Sequence, residues 1–212
     1  MARYPHLSQT RRDFLKIALV MPGAFSLGST PLALAQGGLR PTPACGDDGD
    51  ITPSQTAGPF FKPDSPRRAS LVEPGMAGTR IVVTGLVLST ACAPIPRALV
   101  DFWHADDRGE YDNSGFRLRG HQFTDEAGRY RLETIVPGIY PGRTRHFHVR
   151  AQAPNQPVLT TQLYFPGEPH NRADWIFNRN LVMKVEDAAG GGKVGRFNFV
   201  LTDQRSRSRA DG

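Results

Sequence analysis

The stretch RYRLETIVPGIYPGRTRHFHVRA, residues 129–151, contains two short runs of the kind that form β-strands, separated by a Pro-Gly turn. In the first run, residues 129–135, side chains alternate so that Tyr130 and Leu132 would share one face, because successive residues of a strand point to opposite sides. The second run, residues 146–151, is apolar at every second position. The stretch therefore predicts two neighbouring strands, each with one face toward a core.

Similar apolar, β-branched runs recur along the chain with turn residues between them, and no amphipathic helical stripe interrupts them after the N-terminal region. The further runs are residues 80–88, 98–103, 160–165, 181–185 and 196–201. Short strands at this spacing predict an all-β fold, an antiparallel β-sandwich. The connections 104–124 and 166–180 are longer than usual, and long loops in compact domains often carry function.

The N-terminal region has the layout of a cleavable export signal. The paired Arg11 and Arg12 are followed by an interrupted apolar stretch and then by Ala33-Leu34-Ala35. This order predicts a twin-arginine signal peptide over residues 1–35, and hence a periplasmic or extracellular protein with no membrane association after cleavage. The alternative is a buried N-terminal helix.

After the predicted signal, composition divides the chain into three parts. Residues 36–75 are expected to form an extended arm, residues 76–203 the sandwich core, and residues 204–212 a disordered basic tail. The formal net charge is +6, but half of it lies in the signal. The remaining basic side chains are scattered, which argues against a nucleic-acid partner.

Cys45 and Cys92 are the only cysteines. An even count in an exported protein favours one disulfide, which would tie the arm to the core and stabilise the fold by about 4 kcal/mol. The alternative is two free buried thiols.

His146 and His148 are two residues apart in a predicted strand, so their imidazoles should point the same way and form a two-pronged clamp for a metal ion. Zinc, copper and non-haem iron sites all use such pairs. A tyrosine as a third ligand would favour high-valent iron, because phenolate is a hard anionic oxygen donor. The other histidines considered, His104, His121 and His170, are expected to be solvated in loops.

Several motifs together resemble the intradiol ring-cleavage dioxygenases, non-haem Fe(III) enzymes related to the catechol and protocatechuate 3,4-dioxygenases. They occur in family order and cover residues 52–165: TPSQTAGPFF (52–61), CAPIP (92–96), ALVDFW (98–103), GEY (109–111), TDEAGRY (124–130), PGIYP (137–141), HFH (146–148) and TQLYF (161–165).

The resemblance implies an iron site made of two tyrosines and two histidines: Tyr111, Tyr140, His146 and His148. It implies that Tyr140 and His148 are axial ligands, that Tyr140 leaves when substrate binds, and that Tyr111 and His146 are equatorial. Arg143 and Gln162 match active-site groups of the family. Arg145 is a weaker match than Arg143, because strand alternation turns it away from His146.

The implied activity is insertion of both atoms of O2 into a catechol-type ring, between its hydroxyl-bearing carbons, to give a cis,cis-muconate-type diacid. The implied partners are Fe(III), a small catecholic substrate and O2. Tyr140 and His146 are only six positions apart, a shorter spacing than in the better-known cytosolic members, so the chain is similar to compact exported members. The catechol used and the oligomeric state stay open. Two other interpretations are a non-catalytic exported β-sandwich that binds aromatic or glycan ligands, and a zinc or copper enzyme built on the histidine pair.

Overall fold

The computed structural model describes residues 51–202, which contain nine β-strands and two short 3-10 helices. The predicted signal peptide, Cys45 and the basic tail lie outside these residues. The strands are β1 (Arg80–Ser89), β2 (Leu99–Trp103), β3 (Arg119–Phe123), β4 (Arg129–Ile135), β5 (His146–Gln152), β6 (Leu159–Tyr164), β7 (Lys184–Asp187), β8 (Lys193–Arg196) and β9 (Phe199–Leu201). The 3-10 helices are Pro169–Arg172 and Arg179–Leu181.

Two sheets form the sandwich that the sequence predicts. One has the order β4-β1-β8-β7, with β9 also paired to β1, and the other has the order β3-β2-β5-β6. Apolar side chains from the inner faces of both sheets meet in one core: Ile81 and Val83 of β1, Phe102 of β2, Leu132 of β4, and Phe147 and Val149 of β5.

The pairing is not antiparallel throughout. Strand β1 runs parallel to β8 and to β9, while its pairing with β4 and every pairing in the second sheet is antiparallel. The predicted antiparallel sandwich is confirmed, and the two parallel pairings of β1 add a detail that side-chain alternation cannot predict, because alternation fixes which face is buried but not the direction of a neighbouring strand.

Strand boundaries from the sequence hold best where apolar and polar residues alternate. Residues 129–135 form β4 as predicted, whereas the predicted run 196–201 is divided between β8 and β9, and the run 181–185 begins as a 3-10 helix. Strand β3 was not predicted: its residues lie in the stretch 104–124 that was expected to be a loop. Its residues, RGHQF, offer almost no apolar pattern, and the strand is stabilised instead by pairing with β2.

Residues 51–75, the described part of the predicted arm, contain no strand and pack against both sheets. Backbone hydrogen bonds join Thr52 to Val200 and Gln55 to Thr160. Farther along, Ser65 donates a 2.7 Å hydrogen bond to Asp101 of β2. This arm segment therefore covers the outer face of the second sheet, the face opposite the core.

Within residues 51–202, no helix has both the length and the apolar character needed to cross a membrane.

Candidate metal centre

The two histidines of the HFH motif open strand β5 and point to the outer face of the second sheet, while Phe147 between them enters the core. Their ring centroids are 4.7 Å apart. The two Nε2 atoms lie only 3.1 Å from each other, and both residues are buried. The strand therefore brings the two imidazoles together as the sequence predicts.

The tautomer of His146 is fixed by its backbone neighbour. Its Nδ1 lies 2.6 Å from the carbonyl oxygen of Thr144, and because a carbonyl only accepts, Nδ1 carries the proton. The Nε2 lone pair of His146 therefore faces His148. Nδ1 of His148 is buried without a hydrogen-bond partner in the described part of the chain, and its ring is stacked on Trp103 at 5.0 Å with an interplanar angle of 4°.

Tyr111 reaches the histidine pair from the loop between β2 and β3. Its hydroxyl oxygen is 3.1 Å from Nε2 of His148 and 3.4 Å from Nε2 of His146. The ring is held in place by Phe60 of the arm segment, which stacks on it at 4.3 Å. Three potential ligand atoms from two separate segments thus converge on one point.

Tyr140 lies beside these three residues. Its ring centroid is 5.9 Å from that of Tyr111 and 5.3 Å from that of Phe60, edge-on in both cases. The side chain is half-buried, and its hydroxyl makes no hydrogen bond to another residue of the 51–202 segment. The Tyr140 phenol is therefore adjacent to the cluster, but no hydrogen bond within residues 51–202 joins it to the cluster.

The loops that carry the two tyrosines are joined through their glycines. Gly138 donates a 2.6 Å hydrogen bond to the carbonyl oxygen of Asp106. Gly109 has a φ of +89°, and a Cβ there would lie 2.2 Å from the carbonyl oxygen of Ile139. Only glycine fits this backbone conformation and this close contact, so the Gly-Glu-Tyr and Pro-Gly-Ile-Tyr motifs fix each other's position.

The electrostatics of the cluster suit a cation. Burial lowers the pKa of His146 to about 4, with a further contribution from nearby Arg143, and burial lowers the pKa of His148 well below its usual value. Both imidazoles are therefore neutral at pH 7, as metal ligands must be. Burial also raises the pKa of Tyr111 above its usual range. A bound cation would reverse this shift, because it stabilises the phenolate.

The donor set fits iron better than zinc. Donors about 2.1 Å from one ion lie about 3 Å apart at a right angle and about 3.4 Å apart at a tetrahedral angle, so the three separations of 3.1–3.4 Å fit one shared ion but do not by themselves select the metal. Within residues 51–202, no three His, Cys, Asp or Glu side chains gather closely enough to hold a metal. A metal here would thus depend on tyrosine oxygen, a hard donor that favours Fe(III).

Arg143 and Gln162 lie next to each other at this site. Arg143 donates a 2.6 Å hydrogen bond to the side-chain oxygen of Gln162, and Gln162 donates in turn to the carbonyl oxygen of Thr56. Arg145 bonds instead to Glu168 and to the carbonyl oxygen of Pro137. The two arginines therefore have separate partners, and only Arg143 contacts Gln162.

Several residues at the site were not found from the sequence. Asp174 binds Arg143 at 2.9 Å, and Gly58 lies so close to His148 that a Cβ would be 3.1 Å from its Cε1. The unusual length of the loop 166–180 was a signal for Asp174. Phe60 and Trp103 lie in motifs 52–61 and 98–103, but their stacking was not predicted, because that of Phe60 depends on where the arm lies and that of Trp103 on the register of β2 with β5.

The prediction that His104 is solvated was wrong. His104 is buried, with Nδ1 at 2.7 Å from the carbonyl oxygen of Ala105 and Nε2 at 2.7 Å from the hydroxyl of Thr134. It follows β2 directly, and both ring nitrogens find partners inside the protein. His121 is half-buried in β3 rather than in a loop, while His170 is exposed in the 3-10 helix Pro169–Arg172.

Comparison with known proteins places this chain in a family. A family model described as Dioxygenase matches residues 57–203. The beta chain of protocatechuate 3,4-dioxygenase from Burkholderia cepacia is 34% identical over 148 residues, which are 60% of this chain and 60% of that protein. Hydroxyquinol 1,2-dioxygenase from Rhizobium sp. (strain MTP-10005) is 30% identical over 177 residues, 68% of this chain and 60% of that protein. The chain thus spans about 60% of the length of these curated relatives.

A solved structure is more similar in sequence. It is the dioxygenase domain of a dioxygenase carbohydrate-binding protein fusion from the cellulolytic bacterium Streptomyces sp. SirexAA-E. The identity is 57% and the TM-score 0.70, and the match covers 72% of this chain and 99% of that one. The chain belongs to the intradiol ring-cleavage dioxygenase family, which confirms the predicted resemblance and the sandwich fold.

Proposed function

We propose that the protein is a non-haem Fe(III) intradiol dioxygenase that cleaves a catechol-type ring between its hydroxyl-bearing carbons, giving a cis,cis-muconate-type diacid. One observation carries the proposal: the hydroxyl of Tyr111 and the Nε2 atoms of His146 and His148 lie 3.1–3.4 Å apart in a buried, uncharged cluster. Tyr140 beside them is the fourth ligand.

Iron at this cluster would supply a Lewis acid that acidifies the catechol hydroxyls and activates the ring toward O2. Tyr140 is half-buried; as a phenolate it would be able to accept a proton from a catechol hydroxyl and become the neutral phenol. Arg143 presents its guanidinium to the negative charge that develops on the ring, and Gln162 holds it there by the 2.6 Å hydrogen bond. Removing such a donor typically costs about 10²–10³ in rate.

The balance of the reaction needs no reductant. Both atoms of O2 enter the diacid, and the ring itself supplies the electrons. Phe60 packs on Tyr111 and Phe61 packs on Trp103, so aromatic rings form part of the surroundings of the ligands, which suits a planar substrate.

The test is to load the purified protein with iron and measure metal content, oxygen uptake and diacid formation across catechol, protocatechuate and hydroxyquinol. We expect one iron per chain and a purple-red colour, which arises from charge transfer between tyrosinate and Fe(III). Tyr140→Phe and His146→Ala should each lower iron content or turnover. Full activity in either variant would refute the ligand assignment. Absence of bound iron and of oxygen uptake would instead favour a non-catalytic module that binds aromatic or glycan ligands.

The proposal also includes the export of the protein and a disulfide bond between its two cysteines. The layout of residues 1–35 supports export by the twin-arginine pathway to the periplasm or beyond, and the even cysteine count supports a bond between Cys45 and Cys92. Replacing Arg11 and Arg12 by lysine should retain the protein in the cytoplasm. Thiol labelling of the unfolded, unreduced protein should find no reactive cysteine, and two labelled cysteines would disprove the bond.

A further inference from the structure

Two arginines separated by one residue make matching ion pairs with the same loop. Arg143 Nε donates to Asp174 at 2.9 Å, and Arg145 Nε donates to Glu168 at 2.9 Å. The pairs differ in burial. The carboxylate of Asp174 is 1% exposed, whereas that of Glu168 is 20% exposed. They also differ in what the arginine reaches next, since only Arg143 contacts Gln162.

Asp174 is held on both of its carboxylate oxygens. Oδ2 accepts from Arg143 Nε and from the backbone N–H of Thr144, each at 2.9 Å, and Oδ1 accepts from the backbone N–H of Ile176 at 3.1 Å. The hydroxyl of Thr144 adds a bond to Asn171 on the same loop. The carboxylate is therefore a fixed point to which the backbone before His146 and the side chain of Arg143 are both attached.

The ion pair with Asp174 fixes the orientation of the Arg143 guanidinium and offsets part of its positive charge. With Nε bound to Asp174 and one terminal nitrogen bound to Gln162, the planar group is held in one orientation, and the hydroxyl of Tyr164 is a further hydrogen-bonding neighbour of it. The paired carboxylate also offsets much of the positive charge, so that Arg143 acts as an oriented donor more than as an unpaired cation.

We propose that Asp174 is a positioning residue for the ring-cleavage reaction, which orients Arg143 from the loop 166–180. The inference rests on the proposed function, because it assigns the residue through Arg143. Asp174 acts through Arg143: it keeps the Arg143 guanidinium in the orientation in which it faces the place where charge develops. A small misplacement of such a group costs up to about 100-fold in rate.

The experiment compares Asp174→Asn with Glu168→Gln, which removes the parallel ion pair from the same loop without touching Gln162. In the iron-loaded protein we expect Asp174→Asn to lower kcat about 10- to 100-fold with little change in KM, and Glu168→Gln to change kcat less than about twofold. Iron content and the charge-transfer band should match the wild type in both variants, because neither carboxylate contacts the ligands. Asp174→Glu, which keeps the charge, should recover part of the loss and serves as the second variant if Asp174→Asn does not fold.

A double-mutant cycle separates positioning from general stability. If Asp174 acts through Arg143, then Asp174→Asn should add almost nothing to the loss caused by Arg143→Gln. Additive losses, equal effects of the two carboxylate variants, or a shifted iron band would each overturn the proposal. If the iron-loaded wild type shows no oxygen uptake with any catechol, the proposed function has failed at an earlier step, and the two failures remain distinguishable.

Discussion

The two faces of strand β5 differ in role: the inner face packs the core, and the outer face carries the candidate ligands. On the inner face, Phe147 and Val149 are fully buried in the core between the sheets. On the outer face, His146 and His148 are buried as well, but against polar and aromatic groups from the arm and the long loops. The inner face needs only apolar volume of the right shape, whereas the outer face needs particular atoms at particular distances. Stability and chemistry can therefore be changed separately in adjacent residues.

The largest expected effect is on the outer face. His148→Ala removes one of the three converging donors and the partner of Trp103. We expect activity to fall by at least about 10³-fold, more than for a single electrostatic donor, and the purple-red colour to be lost or strongly altered. Metal analysis and visible absorption check this. A coloured, active variant would mean that His148 is not a ligand. The outer face of β5 would then not differ from the inner face in the way described.

The neighbouring residue on the inner face should behave in the opposite way. Phe147→Ala leaves a cavity between the sheets and should reduce the free energy of unfolding by about 3–5 kcal/mol, measured by urea denaturation. The protein that remains folded should still bind iron with the wild-type absorption band. Loss of the band at a denaturant concentration where the variant is folded would show that core packing and ligand geometry are coupled.

The contrast explains what the sequence could predict. The inner face follows from alternation alone, which is why β4 and β5 were placed correctly. The histidine pair was also predictable, because a spacing of two in a strand implies a shared face. Its surroundings were not. The positions of Phe60, Gly58 and Asp174 depend on how distant segments fold back over the sheet, and no local pattern encodes such a path.

Residues whose burial does not match their polarity were the hardest to predict from the sequence. Strand β3 lacks an apolar pattern because Gly120 is covered by Arg68 and Leu71 of the arm segment. His104 was expected in solvent because histidines in predicted loops usually are. It is buried because Ala105 and Thr134 satisfy both ring nitrogens.

The buried His104 gives a pH dependence that lies outside the ligand cluster. Burial lowers its pKa from 6.5 to about 4, with smaller effects from His146, Arg119, Asp106 and a backbone hydrogen bond. The unfolded chain therefore takes up a proton below pH 6.5 that the folded protein resists down to about pH 4. Stability should fall across this window by up to about 3 kcal/mol.

The measurement is urea denaturation of the wild type and His104→Gln at pH 7 and pH 4, at matched iron content. Because glutamine does not titrate, the variant should lose less stability on acidification than the wild type. Equal losses in the two proteins would mean that the acid sensitivity comes from other groups, such as His146 and His148.

The smallest expected effect is on the arm segment, residues 51–75. Ser65→Ala removes the 2.7 Å hydrogen bond to Asp101 and should reduce the free energy of unfolding by about 1–2 kcal/mol. The change should leave the core of the sandwich intact and loosen the arm over the outer face. Hydrogen exchange should therefore increase in residues 51–68 and not in β4. Uniform faster exchange would indicate that the arm and the sandwich unfold as one unit.

The hydrogen bonds of the arm segment also imply an order of assembly. They join positions more than 100 residues apart, as between Thr56 and Gln162 or between Gln55 and Ile176. Contacts so distant along the chain carry a high loop-closure entropy and tend to form late. The sheets should therefore assemble first, with the histidines still accessible from outside, and the N-terminal segment should close over them last. The proposed metal ion would then enter in the interval between these two events.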